Sequence, residues 1–288
     1  MTVLVLGGSS QIGHFLLPRL LASGESVLAL SRQPRAQPAG VRWLHGQLPH
    51  DVPALPPLSA ILSFGPLPAL AEWLAAAPLT QAPRVIATSS MSAESKRESR
   101  VPAERAIARQ LRDGEHALAR ACDRHGCAWT VLRPTLVYGA GLDKSLTPIA
   151  RRAMRTRLFP LPAGRGLRQP VHADDIAQAV LAALACPASA GRVLPIGGGE
   201  RLPAAEMFAR VRHSLPQATV PLPLPAWLLR LGQRALPRLR GPLQRLEADL
   251  LADNGELQRV LGIHPRPFRP EAAAWTAGDR PHANSVRL

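Results

Sequence analysis

The chain has 288 residues, 46% hydrophobic and 19% charged, which excludes a disordered chain and leaves room for two ordinary domains or one large one. Three cysteines (Cys122, Cys127, Cys186) exclude a disulfide framework and a paired CxxC zinc site, and fit a reducing, cytoplasmic setting. The net charge of +15 raises the question of nucleic acid, yet 33 of the 35 basic residues are arginine spread along the chain and aromatics are 4%, so no nucleic-acid partner is expected.

Residues 2–6 (TVLVL) are a short apolar run with glycines directly behind, the pattern of a buried parallel strand. Residues 11–22 carry Ile12, Phe15, Leu16, Leu20 and Leu21 at helical spacing, and 26–30 form a second strand, so a βαβ unit opens the chain. The start of a strand at residue 2, with no basic leader, argues against a signal peptide. Strands follow at 41–45, 60–64, 84–88 and 129–135, with helices at about 67–77 and 103–125. This alternation predicts an α/β fold, a doubly wound parallel sheet.

Past Tyr138 the texture changes to glycine turns, an Arg-rich helix at about 146–157 and a Pro/Gly loop. A helix over Asp174–Ala185 has Asp174 as its expected N-cap, a strand follows at 192–196 and a helix at about 203–214. The tail beyond 270 is expected to be loose. Residues 1–138 are read as one domain and 139–288 mainly as a second, smaller one, with 171–186 returning to the first.

Gly7-Gly8-Ser9-Ser10-Gln11-Ile12-Gly13 joins the first strand to the first helix. Glycines there let the backbone approach a pyrophosphate, and the helix start offers open N–H groups. The middle glycine of the G-x-x-G-x-x-G spacing is replaced by Ser10, which narrows the loop and brings a hydroxyl that can bond a phosphate. After the second strand an NAD site carries an acid for the ribose hydroxyls. This chain has Ser31-Arg32 instead, which suits a 2′-phosphate, so NADP(H) is expected ahead of NAD(H).

The glycine loop, Ser89-Ser90, the run Arg133-Pro134-Thr135-Leu136-Val137-Tyr138-Gly139 and the run Val171-His172-Ala173-Asp174-Asp175-Ile176-Ala177 occur in that order. Together they resemble the extended short-chain dehydrogenase/reductases, the NAD(P)-dependent epimerase/dehydratase family. The resemblance implies a Rossmann domain with a smaller C-terminal substrate domain. It also implies cofactor contacts from Ser63, Phe64, Gly65 and Pro134, and a small or nucleotide-linked substrate. Members of that family carry a Tyr-x-x-x-Lys acid/base pair. Here the only tyrosine is Tyr138, with Leu142 four residues on, and neither Lys96 nor Lys144 has a tyrosine four residues before it. Aligned through Glu115, the pair falls at Ile107 and Leu111, so this is an atypical member.

Ser89, Ser90 and Tyr138 remain as candidates for chemistry, Tyr138 being read chiefly as a packing residue. His172, Asp174 and Asp175 are read as structural. Scattered histidines without an HExxH pair imply no metal, and no GxSxG elbow exists. Residues 225–246 repeat Arg230, Arg234 and Arg238 every four positions with Trp227, Leu228, Leu231 and Leu239 on other faces. Such a segment suits a cleft lid or subunit contact, the preferred reading, or peripheral contact with an anionic membrane. Two functions stay open: an oxidoreductase or epimerase/dehydratase-like enzyme with an altered site, and a non-catalytic NADP(H)-binding sensor or scaffold.

Overall fold

The computed structural model describes residues 1–33, 35, 40–225, 227 and 246–276. Seven parallel strands form the main sheet: β1 (Thr2–Leu6), β2 (Ser26–Ser31), β3 (Val41–His45), β4 (Ala60–Ser63), β5 (Arg84–Thr88), β6 (Trp129–Pro134) and β11 (Arg192–Ile196). Their order across the sheet is β11-β6-β5-β4-β1-β2-β3. The chain thus works outward from β1 in one direction, then restarts at β4 on the other side. That reversal between β1 and β4 is the switch point at which doubly wound sheets open a crevice.

The strand sequences divide cleanly between the two faces. Val3, Val5, Val27, Ala29 and Leu62 join one core under α1 (Gln11–Ala22) and α6 (Ala173–Ala185). Leu4, Leu6, Leu28, Leu30 and Ile61 join the other under α2 (Leu67–Ala76) and α4 (Pro102–Arg124). Both faces are covered, so these strands read as continuous apolar runs rather than alternating ones.

A third core is built from Tyr138, Leu146, Phe159, Leu202, Met207, Phe208, Phe268 and Trp275, with others. Around it lie β7 (Val137–Tyr138), α5 (Thr147–Thr156), β8 (Leu158–Pro162), β9 (Leu167–Arg168), β10 (Val171–His172), β12 (Leu202–Pro203), α7 (Ala204–His213) and β13 (Val220–Leu224). Among the described residues the strands here pair in twos: β10 with β7, β12 with β9 and β13 with β8. Two short helices, α3 (Ser92–Ser95) and α8 (Gly255–Leu261), complete the elements used below.

Two expectations are corrected. α6 begins at Ala173, and its N-cap is His172, whose Nδ1 accepts from the Asp174 N–H at 3.1 Å. Asp174 is occupied instead by Arg19 and Arg266, each at 2.8 Å. The chain beyond 270 is also not loose as far as Thr276. Trp275 is fully buried, and its indole N–H donates to Ser214 Oγ at 2.7 Å. The segment 228–245, with its recurring arginines, lies outside the described residues.

Candidate functional site

The glycine loop turns where β1 meets α1. Gly7 has φ +86°, and a Cβ there would press on Phe64 Cβ at 3.3 Å. A Cβ on Gly13 would stand 2.2 Å from the Gly8 carbonyl oxygen, so only glycine lets helix and loop close this tightly. Ser10 is the N-cap: its N–H donates to Gly7 O at 2.8 Å and its Oγ accepts from the Gly13 N–H at 3.2 Å. Its hydroxyl oxygen thus holds the helix start, and its proton stays available to a ligand. The N–H groups of Gln11 and Ile12 are the open donors of the first turn. Ile12 sends its side chain into the core, Ser9 is exposed, and Gln11 Oε1 is buried without a partner.

At the end of β2, Ser31 Oγ donates to Gln33 O at 2.9 Å, and Arg32 is exposed. A second cation, missed in the sequence, stands beside them. Arg35 lies over the Trp43 ring at 5.5 Å and its Nε donates to Ser31 Oγ at 3.4 Å. The signal was a second arginine three residues on, followed by an aromatic on the next strand.

At the switch point, Ser63 closes β4 opposite Leu6, with Phe64 and Gly65 following. Ser63 Oγ is fully buried and has no partner. Ser89, after β5, is in the same state: its N–H donates to Leu132 O at 2.8 Å, while its Oγ has none. Ser90 Oγ accepts from the Ser92 N–H at 3.1 Å, and Pro134 O accepts from the Met91 N–H at 2.9 Å.

A cleft of about 1100 Å³ opens beside these groups. Gln11, Ser90 and Thr135 line it from the sheet side, and Lys144, Arg168, Met207 and Phe208 from the third core. Lys96 and Glu104 stand in the same wall, Nζ 3.7 Å from Oε1, with the Ser99 hydroxyl donating to Glu104 Oε2 at 2.8 Å. Asp143 is tied up ahead of α5, accepting from the N–H groups of Ser145, Leu146 and Thr147. Ile107 sits on α4 with 40% of its surface exposed. Further along the same helix, Glu115 is 3% exposed and forms a two-pronged ion pair with Arg133, which also reaches Glu94 at 2.7 Å.

Tyr138 is 1% exposed, edge-on to His172 at 5.0 Å and to Phe268 at 4.8 Å. Burial, and then Asp175, push its phenol above the ordinary value. Burial and the nearby Arg266 hold His172 below its usual value, as expected of a neutral cap. Arg266 ties the segment that follows α8 to the start of α6 by donating through Nε to Asp175 at 2.7 Å. Among the described residues no cluster of three or more His, Cys, Asp or Glu stands ready for a metal ion.

A glycine-turned helix start at the switch point of a parallel sheet defines a Rossmann-type dinucleotide fold. Residues 70–197 match the sequence model of the NAD dependent epimerase/dehydratase family, so the resemblance drawn from the motifs is borne out. A search of curated proteins finds no match. Solved structures match over nearly the whole chain. MoeE5 in complex with UDP-glucuronic acid and NAD shares 20% identity at a TM-score of 0.71, covering 95% of this chain and 97% of that one. UDP-glucose 4-epimerase of Thermus thermophilus, complexed with NAD, shares 18% at 0.68, with 95% and 97% covered. That of Thermotoga maritima, with UDP-glucose, shares 15% at 0.67, with 96% and 97% covered.

Proposed function

We propose that the protein binds NADP(H) along the carboxyl ends of β1, β4 and β5 and acts on a small, anionic or nucleotide-linked substrate in the cleft. One observation carries this reading. Gln11 Oε1, Ser63 Oγ and Ser89 Oγ are three buried oxygens without partners, strung along the edge where such a cofactor crosses an open sheet. The residues fit the group: the Gly7–Gly13 cradle admits a pyrophosphate backbone, and the N–H groups of Gln11 and Ile12 sit at the positive end of α1. When bound, the cofactor supplies hydride exchange. Phe64 and Gly65 back the cradle, while Ser89 and Ser90 hold a substrate oxygen. Lys144 and Arg168 favour a negative substrate, in keeping with the UDP-sugar ligands of the solved neighbours.

The preference for NADP(H) rests on the missing acid after β2 and on Arg32, with Arg35 beside it. The neighbours named above with a cofactor carry NAD, so this is where the chain departs from them. Calorimetry with both cofactors tests it. Arg32→Asp is expected to weaken NADP(H) about 10- to 150-fold, the worth of one charge-assisted contact, and to leave NAD(H) unchanged. Equal affinities in the wild type overturn it.

The lost Tyr-x-x-x-Lys pair supports an enzyme whose proton transfer is weak, roughly 10²–10⁴ below a well-positioned donor. The exposed Ile107 at that place favours a second reading, a cofactor-state sensor without turnover. Hydride transfer measured with a panel of nucleotide sugars separates the two. A robust activity abolished by Tyr138→Phe, with cofactor binding intact, would show that Tyr138 does more than pack.

A further inference from the structure

The excess positive charge is not shared out evenly. Residues 144–173 and 207–246 hold fourteen of the 35 basic residues and none of the 20 acidic ones. The remainder of the chain is almost balanced. Each acid-free stretch supplies one strand of the parallel pair of β8 with β13.

That pair has an open apolar face. Leu158 lies beside Val220, and Pro160 beside Leu222, in register. Leu158, Val220 and Leu222 are 50%, 61% and 49% exposed, while Phe159, on the opposite side, is fully buried in the third core. Trp227, three residues beyond β13, is 66% exposed. At the start of the pair stand Arg152, Arg155 and Arg157, all exposed and without an acidic partner among the described residues.

The free edge of β13 rejects another strand. Val220 N–H donates to Arg157 O, and Leu224 O accepts from Ala163 N–H, so the even-numbered residues turn their polar groups towards β8. Pro221 and Pro223 then face outward and have no N–H to offer. Strand addition by a peptide or a second copy is disfavoured. A nucleic-acid backbone suits the arginines but leaves Leu158, Val220 and Leu222 in water.

We propose that this face rests on an anionic lipid bilayer, with Leu158, Val220, Leu222 and Trp227 in the headgroup boundary and Arg152, Arg155 and Arg157 against lipid phosphates. It is independent of the cofactor reading. Among the described residues no helix is long and apolar enough to cross a membrane, so the contact is peripheral.

The test is co-sedimentation of the full chain with vesicles of phosphatidylcholine, alone and mixed with phosphatidylglycerol. Binding is expected only to the anionic vesicles and falls steeply with added salt. The triple variant Leu158→Ser, Val220→Ser, Leu222→Ser is expected to lower partitioning about tenfold or more. Its thermal melt should be unchanged, and Trp227→Ser serves as a second, independent probe. Arg152→Ser, Arg155→Ser, Arg157→Ser should abolish the preference for anionic lipid. No sedimentation at low salt overturns the proposal. So does undiminished binding by the apolar triple variant. Duplex DNA binding as tight as vesicle binding, and itself unaffected by the apolar triple, would assign the charge to nucleic acid instead.

Discussion

β1 is TVLVL and β13 is VPLPL: two five-residue strands without a charged residue. β1 pairs with β2 on one side and β4 on the other and is buried from Val3 to Leu6. Among the described residues β13 pairs only with β8, and it is exposed along almost its whole length. The difference lies in the N–H inventory. A central strand needs a donor at every residue, and the prolines of β13 remove every second one. Apolar character therefore says that a strand wants a partner surface, while the backbone donors decide whether a sheet or something else supplies it.

The comparison breaks most severely at the joint that holds β1 to α1. Gly13→Val puts side-chain atoms where the Gly8 carbonyl already stands, and is expected to cost at least about 3 kcal/mol and to abolish cofactor binding. A melt within a few degrees of wild type would mean that the loop is not the tight joint described. Arg133→Met leaves Glu115 buried without its partner and should cost about 3–5 kcal/mol in chemical denaturation. A loss under about 1 kcal/mol, well below that range, would argue that Glu94 and Glu115 are not held by this guanidinium.

A smaller effect is a pH slope. His172 is held neutral in the fold, so the unfolded chain binds the extra proton. Stability is then full above the ordinary value of 6.5, falls as pH drops through it, and levels off below the depressed folded value. His14 is depressed in the same direction. His172→Asn keeps an acceptor for the Asp174 N–H while removing one titration, and should give a shallower fall in melting temperature on acidification. An unchanged slope would show that His172 does not titrate in this window. The smallest expected effect sharpens the comparison directly. Leu222→Ala should change stability by no more than about 0.5 kcal/mol, against about 2–5 kcal/mol for Leu4→Ala.

The sequence alone determined the parallel sheet, the glycine cradle and the absence of a Tyr-x-x-x-Lys motif. Each is local, since consecutive apolar residues, a loop of glycines and a count of tyrosines need no partner to be read. It predicted the helix at 11–22 to the residue and placed β1, β3 and β5 correctly. The tertiary structure decided what depends on distant neighbours. Asp174 looked like a cap because acids favour helix starts, but Arg19 and Arg266 claim it and His172 caps in its place. Trp275 looked like part of a loose tail, yet it fills the third core because Tyr138 and Phe268 leave a space for it beside Ser214. Ser10 looked free for a phosphate, and its oxygen first satisfies the helix it begins. The charge was legible as a total and not as a place. The pairing of β8 with β13 brings two acid-free stretches of chain together beside an apolar face, a contact between strands far apart in sequence.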